Sequence, residues 1–440
     1  MEIDEVVTIG PGTSRKLGLA VDLGTSKVAG YLVNLDNSRV LAAKAIPNPQ
    51  VCYGEDVVSR IYRAIKSPAD SLRLQQLAVE ALNQLVTGLC EATDAGTGEI
   101  VEAVVVGNSA MHHLLLRLPV KQLAYSPFVL AVRDAMDVKA WDIGLHIAPG
   151  AYIHMLPNIA AFVGGDHVAM LLAIGATLVK GVGIALDIGT NTEVSLLDNG
   201  RIYTVSCASG PAFEGGHIKH GMRAGSGAIE RLAIKDDNVQ YQTIDNTPPT
   251  GLCGSGALDA VAQLYLAGVL DDGGRMTPKH PRVRVFERQR EFVLVTEEER
   301  EGRPAITITQ KDVRELQLAK GAIRAGIQVL LDETGHSEEE IREVVIAGAF
   351  GSYINIDSAV AIGMLPSLPL SSFRQVGNAA GTGAKLALVS RSKRAEAQNI
   401  ASGVHYIELA ATANFKQTFV QASYLGRYRM INGERREICQ

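Results

Sequence analysis

Two stretches of the chain share one pattern of apolar and polar positions. In residues 17–35, and again in residues 181–197, an apolar strand runs into a short polar turn and a second apolar strand returns. Asp22 and Asp187 stand at matching places just before the two turns. One such hairpin carries little information, since Asp and Gly often serve only to turn a chain. Two copies at a domain-sized interval predict a duplicated fold that holds one nucleotide from both sides.

The two turns have the chemistry of phosphate-binding loops. Glycine lets backbone N–H groups approach phosphate oxygens closely, and neighbouring hydroxyl and amide groups add donors. A carboxylate beside phosphates is typical of a magnesium site, because Mg²⁺ takes one or two carboxylates and keeps several waters. The candidate phosphate-binding residues are Gly24, Thr25, Ser26, Gly189, Thr190 and Asn191.

The rest of the chain alternates predicted strands and helices. Continuous apolar runs predict buried strands at residues 102–107, 151–156 and 343–347. Leucine and valine at helical spacing predict a helix over residues 71–90. The longest predicted helix covers residues 309–331, which begin with an approximate capping box.

Three other segments carry polar side chains of interest. The glycine-rich residues 208–227 include Glu214, His217 and His220 at a spacing that a metal site could use, although the segment also reads as a long irregular loop. Residues 287–303 are dense in charge and predict a solvated surface hairpin. Asp166 stands at the expected N-cap of a helix that begins near residue 167.

Composition narrows the function classes. The 440 residues are enough for two or three structural units, and 47% hydrophobic residues support sizeable cores. The net charge of −5 argues against a nucleic-acid-binding protein. The five cysteines are widely spaced without a Cys-x-x-Cys pair, which favours a cytoplasmic protein. The most apolar run, residues 168–179, is too short to span a membrane.

The order of these segments resembles the superfamily of acetate and sugar kinases, actin and heat-shock chaperones. The resemblance implies an α/β, duplicated actin-like ATPase fold with two mixed-sheet subdomains around a nucleotide cleft. The expected boundaries are an N-terminal extension over residues 1–16, subdomain I over 17–180 completed by a helix over 379–403, subdomain II over 181–378, and a C-terminal extension over 404–440.

The same resemblance implies a role for individual side chains. Asp22 and Asp187 would hold Mg²⁺ through water. Asp166 stands in a Gly-x-Asp before a small-residue helix, as the catalytic base of sugar kinases does, so it is preferred over Glu193 for activating the attacking water. The residues expected against adenosine are Gly348, Ala349, Phe350 and Gly351, with Gln317 and Lys320 as further adenine contacts.

Several longer segments, such as LPNIAAFVGGD, GLCGSGALD and IAGAFGSYINIDSAVAIGMLP, resemble the C-terminal ATPase domain of ATP-dependent reductive activators of corrinoid proteins. Such activators, including those of O-demethylases and other methyltransferase systems, return cobalt(II) to cobalt(I). The resemblance implies ATP and Mg²⁺ as cofactors, a corrinoid protein as partner and a homodimer. The family's 2Fe–2S ferredoxin-like domain has no counterpart in this sequence, so that domain or an external reductant would supply electrons.

Other functions remain open at this stage. A small-molecule kinase would use the same phosphate loops with Asp166 as base toward a hydroxyl or carboxylate. An actin-type filament protein would polymerise with nucleotide. A dehydratase activator is disfavoured, because the cysteines are not placed to hold a cluster at a dimer interface.

Overall fold

The computed structural model describes residues 6–8, 15–235, 238–348 and 350–429. The chain forms two compact units. Unit 1 consists of residues 1–180, 197–203 and 378–406, and unit 2 consists of residues 181–196, 204–377 and 407–440. Both units are therefore built from separate stretches of the chain.

The chain begins with a three-stranded segment, two helices and then alternating strands and helices. These elements are β1 (Leu17–Leu23), β2 (Lys27–Asn34), β3 (Arg39–Pro47), α1 (Val57–Lys66), α2 (Pro68–Glu91), β4 (Ile100–Val106), α3 (Ser109–Leu115), β5 (Met136–Lys139), α4 (Ala140–Ile143), β6 (Tyr152–Met155) and α5 (Gly165–Ile174).

A second hairpin opens the remainder of the chain. Its elements are β7 (Val182–Ile188), β8 (Thr192–Asp198), β9 (Arg201–Cys207), β10 (Ala228–Lys235), β11 (Asn238–Thr243), β12 (Gly251–Leu252), α6 (Gly254–Leu266), β13 (Val283–Phe286), β14 (Gln289–Val295), β15 (Ile306–Thr309), α7 (Gln310–Thr334), β16 (Ile341–Ala347), α8 (Ile356–Ala361), β17 (Phe373–Gly377), α9 (Ala379–Val389), α10 (Arg391–Gly403), β18 (His405–Tyr406) and α11 (Phe415–Ala422).

The first mixed sheet has the strand order β3-β2-β1-β4-β6-β5. Strand β1 runs antiparallel to β2 and parallel to β4, and Asp22 lies opposite Ala29 and Val106. Both faces of β1 are buried, as its apolar sequence predicts, and helix α2 contributes Leu74, Leu82 and other residues to the same core. The carboxyl end of β1 thus lies at the edge where β4 also ends.

The second mixed sheet has the order β17-β16-β7-β8-β9-β18 and repeats that arrangement. Strand β16 runs parallel to β7, and Asp187 lies opposite Ala347 at the end of the pair. Each hairpin therefore has a parallel neighbour, β4 for β1 and β16 for β7. The predicted duplication is confirmed at the level of strand order.

Two smaller three-stranded sheets have the orders β11-β10-β12 and β13-β14-β15. The prediction that residues 287–303 form only a solvated hairpin is wrong for β14. Residues 292–295 are buried, because β15 pairs with β14 along its other edge. Glu291 is only 1% exposed and receives hydrogen bonds from Lys219 and Arg284, so its charge is balanced.

Helix α5 begins earlier than the sequence predicts. Gly164 is the N-cap and Gly165 is the first helical residue, so Asp166 lies in the first turn and is not the cap. Gly164 also packs closely, since a Cβ atom there would lie 2.5 Å from the backbone of Asn108. The predicted capping box of α7 is confirmed at Thr309 and Asp312. Among the described helices, none combines the length and the apolar sequence needed to cross a membrane.

Candidate functional site

Asp22 ends the buried part of β1 and lies beside the N-terminus of α9. The Asn378 side chain caps α9 by accepting from the Gly381 N–H, and its Nδ2 donates to Asp22 Oδ2 at 2.8 Å. The carboxylate keeps some exposure to solvent. Burial nevertheless raises the pKa of Asp22 to about 6, against the opposing effects of the Asn378 hydrogen bond and the Lys27 charge. A bound cation would relieve this cost of ionisation.

The turn after Asp22, which we name loop 1 (Gly24-Thr25-Ser26), is fixed from behind through its carbonyl groups. Asn48 donates to the Gly24 carbonyl through Nδ2 and to the Ser26 carbonyl through its backbone N–H. Arg60 of α1, which is completely buried, donates to the Thr25 carbonyl at 2.7 Å. All three carbonyls of loop 1 are therefore satisfied by the protein, and a buried guanidinium lies directly behind the turn.

The end of β4 connects loop 1 with Asp166. Asn108 caps α3 by accepting from Met111 N–H, and its Nδ2 donates to Thr25 Oγ1 at 3.0 Å. At the same strand end, the Gly107 carbonyl accepts a hydrogen bond from the Asp166 backbone N–H at 3.2 Å. The Asp166 carboxylate accepts from the His167 N–H. Unit 1 thus brings Asp22, loop 1 and Asp166 around one strand end, although their sequence positions are far apart.

The corresponding turn of unit 2, loop 2 (Gly189-Thr190-Asn191), is held by the glycine-rich segment. Thr190 Oγ1 donates to Glu214 Oε1 at 2.6 Å. Ser209 Oγ lies 2.9 Å from Thr192 Oγ1 and donates to the carbonyls of Gly189 and Thr190. Loop 2 is therefore supported by a carboxylate and hydroxyl groups, and the glycine-rich segment packs within unit 2.

The segment after β16 packs directly against loop 2. Gly348 has a φ of +93°, and a Cβ atom there would lie 2.4 Å from the Ile188 carbonyl oxygen and 2.8 Å from Asp187 Oδ1. Only glycine fits this position without strain. The Phe350 ring stacks on Phe213 with a centroid distance of 4.7 Å. Of the predicted adenosine contacts, Gly348 therefore lies beside Asp187, Phe350 packs on Phe213, Gly351 packs against Ala347, and Ala349 lies outside the described residues.

Three other predicted site residues are buried in unit 2. Glu193, 9% exposed, accepts from Ser206 Oγ at 3.3 Å. Gln317 donates to the carbonyls of Gly273 and Ser423. Lys320 donates to the Tyr424 carbonyl, and burial lowers the pKa of Lys320 to about 7. The donor groups of both predicted adenine contacts are thus used within the protein.

The donor set fits a magnesium ion bound to phosphate. Carboxylate and hydroxyl oxygens are the groups that Mg²⁺ accepts, and the glycines of the two loops leave room for phosphate oxygens. Among the described residues, no cluster of three or more His, Cys, Asp or Glu side chains could hold a metal. A Mg²⁺ ion at Asp22 or Asp187 would therefore take most of its ligands from phosphate and water. The metal site that the sequence left open at Glu214, His217 and His220 is not formed among the described residues.

Comparison with known families is decisive for the fold. Residues 181–433 match the family described as the C-terminal domain of RACo, the ASKHA domain, and residues 17–177 match the RACo middle region. The chain belongs to the RACo family. The expected duplicated α/β, actin-like fold is thereby confirmed, and membership of an ASKHA family implies that the chain binds ATP.

Relatives of this chain agree with its assignment to the RACo family. The chain is similar to the corrinoid activation enzyme RamQ of Eubacterium limosum, with 36% identity over 94% of this chain and 71% of that protein. It is 26% identical to the [Co(II) methylated amine-specific corrinoid protein] reductase of Methanosarcina barkeri, covering 92% and 76% of the two chains. A solved structure titled reductive activator for corrinoid, iron-sulfur protein is 37% identical, with a TM-score of 0.86 over 96% of this chain and 68% of that one.

The sequence did not predict that three residues of this chain support the two loops and Asp22. Arg60 and Asn378 contact loop 1 and Asp22, and Glu214 contacts loop 2. The sequence offered one partial signal, because Asn378 stands before a small-residue helix as an N-cap would. Arg60 reads as one polar position of an amphipathic helix, and the sequence singled out Glu214 only as part of a possible metal site.

Proposed function

We propose that this chain is the ATP-dependent module of a reductive activator that acts on a corrinoid protein and returns its cobalt(II) centre to cobalt(I). The proposal rests on the pair of matched Asp-x-Gly-Thr hairpins, each with a parallel neighbouring strand, in a chain of the RACo family. Two of the relatives are a corrinoid activation enzyme and a corrinoid protein reductase, which supports a corrinoid protein as partner. The kinase alternative has less support.

Within this proposal, loop 1 and loop 2 bind the phosphates of ATP, and Asp22 and Asp187 hold Mg²⁺ through water. The ion would neutralise phosphate charge when bound. Asn378 orients the Asp22 carboxylate, and Glu214 orients the Thr190 hydroxyl. Asp166 is the proposed base toward an attacking water, because its segment meets the Gly107 carbonyl beside loop 1.

ATP binding would act on the partner through a difference in affinity between two states. Coupling between sites is typically about 1–3 kcal/mol. For a one-electron step, about 1.4 kcal/mol corresponds to roughly 60 mV. We propose that coupling of this size is accompanied by a change of cobalt ligation in the complex. The electron comes from an iron–sulfur domain or an external reductant, and the chain works as a homodimer.

The test is ATP hydrolysis by the chain with and without cobalt(II) corrinoid protein, while an external reductant is present and cobalt(I) is followed by its visible spectrum. The expected result is faster hydrolysis with the partner, and cobalt(I) that forms only with ATP. Asp187→Asn is expected to lower affinity for Mg–ATP at least about tenfold. Asp198→Asn, at the other end of β8, is the matched control. Equal hydrolysis rates with and without the partner would contradict the proposed coupling.

A further inference from the structure

A cavity of about 590 Å³ opens in unit 2, away from loop 2 in sequence. Three segments line it, namely the turn before β13, the turn between β13 and β14, and the beginning of α7. No Asp or Glu side chain is among the described residues that line it. Five cationic side chains do so, and we name the site the basic cavity: Arg275, Arg288, Arg290, Lys311 and Arg314.

The charges in the basic cavity are not balanced within the protein. Arg290 donates to the Met276 carbonyl. Within the described part of the chain, the side chains of the other four cations have neither a hydrogen bond nor an ion pair. By contrast, Lys219 of the glycine-rich segment and Arg284 of β13 lie 2.7 and 2.9 Å from the buried Glu291 carboxylate of β14. Lys219 and Arg284 are therefore paired with a carboxylate. The four unpaired cations around the basic cavity have no anionic partner in the described part of the chain.

Helix α7 adds to this imbalance. Lys311 and Arg314 are three residues apart and exposed, so they lie on one side of the helix and repel each other. They also lie near the helix N-terminus, where the positive end of the helix dipole disfavours cations. Their cluster is local, since the chain as a whole carries a net charge of −5. An anion in the basic cavity would remove both penalties.

We propose that the basic cavity binds a small-molecule polyanion that carries a chain of two or more phosphate groups. Arginine presents a planar fork of donors that matches phosphate oxygens, and three of the unpaired cations are arginines. A volume of about 590 Å³ is in the range of small-molecule sites and leaves room for more than one phosphate. The cations line a shallow, open depression, so a bound ligand would stay partly in contact with solvent.

The basic cavity is distant in sequence from the phosphate loops, although its lining includes Gln317, one of the predicted adenine contacts. The experiment therefore measures binding of inorganic tripolyphosphate to the full chain and to the loop 2 variant Thr190→Val by titration calorimetry, at two salt concentrations. The test variant is Arg288→Gln combined with Arg314→Gln. The control is Arg39→Gln combined with Arg391→Gln, which removes two exposed arginines of unit 1 and changes net charge equally.

The expected result is saturable binding that the test variant weakens by about tenfold or more and that the control and Thr190→Val retain. Three outcomes would overturn the proposal. The first is no binding to the unmodified chain. The second is binding that Thr190→Val weakens while the test variant does not, because the ligand would then sit at loop 2. The third is unchanged affinity with an altered sedimentation mass in the test variant, because the cations would then serve a protein interface.

Discussion

Loop 1 and loop 2 have the same turn but different support. The carbonyls of loop 1 accept hydrogen bonds from Asn48 and from the buried cation Arg60. Loop 2 is held by the Glu214 carboxylate and by hydroxyl groups of the glycine-rich segment. A duplicated hairpin therefore preserves the position of the aspartate and the turn, while the charge behind the turn has changed from positive to negative. The two loops should respond differently to equivalent substitutions.

The largest effect is expected from removing the cation behind loop 1. Arg60→Met should lower the free energy of unfolding by about 3–5 kcal/mol, because the carbonyls of Gly54 and Thr25 lose a charged donor inside the protein. Urea denaturation measures this change. Arg63→Met, on the exposed side of the same helix, should have little effect. Equal losses in the two variants would show that loop 1 does not depend on Arg60.

The next effect concerns the close approach behind loop 2. Gly348→Ala should destabilise the chain by about 3 kcal/mol, since it combines an unfavourable positive φ with overlap of the new Cβ and the Ile188 carbonyl. Gly302→Ala is the control, because Gly302 has a φ of +84° but open space around it. That variant should lose only about 1 kcal/mol. A similar loss at both positions would mean that strain alone, and not contact with loop 2, requires glycine.

A third substitution tests the amide donor beside Asp22, the aspartate that precedes loop 1. Asn378→Asp keeps the cap of α9 but places a carboxylate against Asp22, and should lower stability by about 2 kcal/mol at neutral pH. Asn108→Asp is the matched change, because the neighbouring Thr25 hydroxyl can donate to the new carboxylate. Thermal melts should give a lower melting temperature for Asn378→Asp than for Asn108→Asp. Equal melting temperatures would contradict the requirement for an amide donor beside Asp22.

The smallest effect, when counted per pH unit, contrasts the buried cations of the two units. Arg60 stays charged at all accessible pH values, whereas the pKa of Lys320 is lowered to about 7 from an ordinary value of 10.5. Between these two values the unfolded chain binds more protons at this lysine, so stability rises with pH by up to about 1.4 kcal/mol per pH unit. Lys320→Met should remove this rise between pH 7 and 9, and exposed Lys311→Met should keep it. An unchanged slope in Lys320→Met would contradict the lowered pKa.

Much of the fold could be predicted because its signals are local. The apolar strands around Asp22 and Asp187, the capping box at Thr309 and the buried run before Gly348 each depend on residues close together in sequence. The order of these segments then carried the resemblance to the family. The assigned roles of all the site residues remain predictions, from Asp22, Asp187 and the two loops to the adenosine contacts and Asp166.

The support of the two loops could not be predicted, because it depends on tertiary contacts. Arg60 reaches Thr25, and Asn378 reaches Asp22 from the far end of the chain. The buried strand β14 was missed for a similar reason, since its charged sequence is compensated by β15, Lys219 and Arg284. In each case, the partner that neutralises a polar group is distant in sequence.

The contact between α5 and α9 has a consequence for how the protein is made. A Cβ on Gly383 would lie 1.9 Å from the Ala169 carbonyl oxygen, so the two helices meet backbone to backbone. Helix α5 of unit 1 therefore lacks its packing partner until α9 has left the ribosome, after most of unit 2 has been synthesised. The nascent chain must keep the apolar face of α5 from aggregating during that interval. A chaperone that binds apolar segments is expected to shield this face during translation.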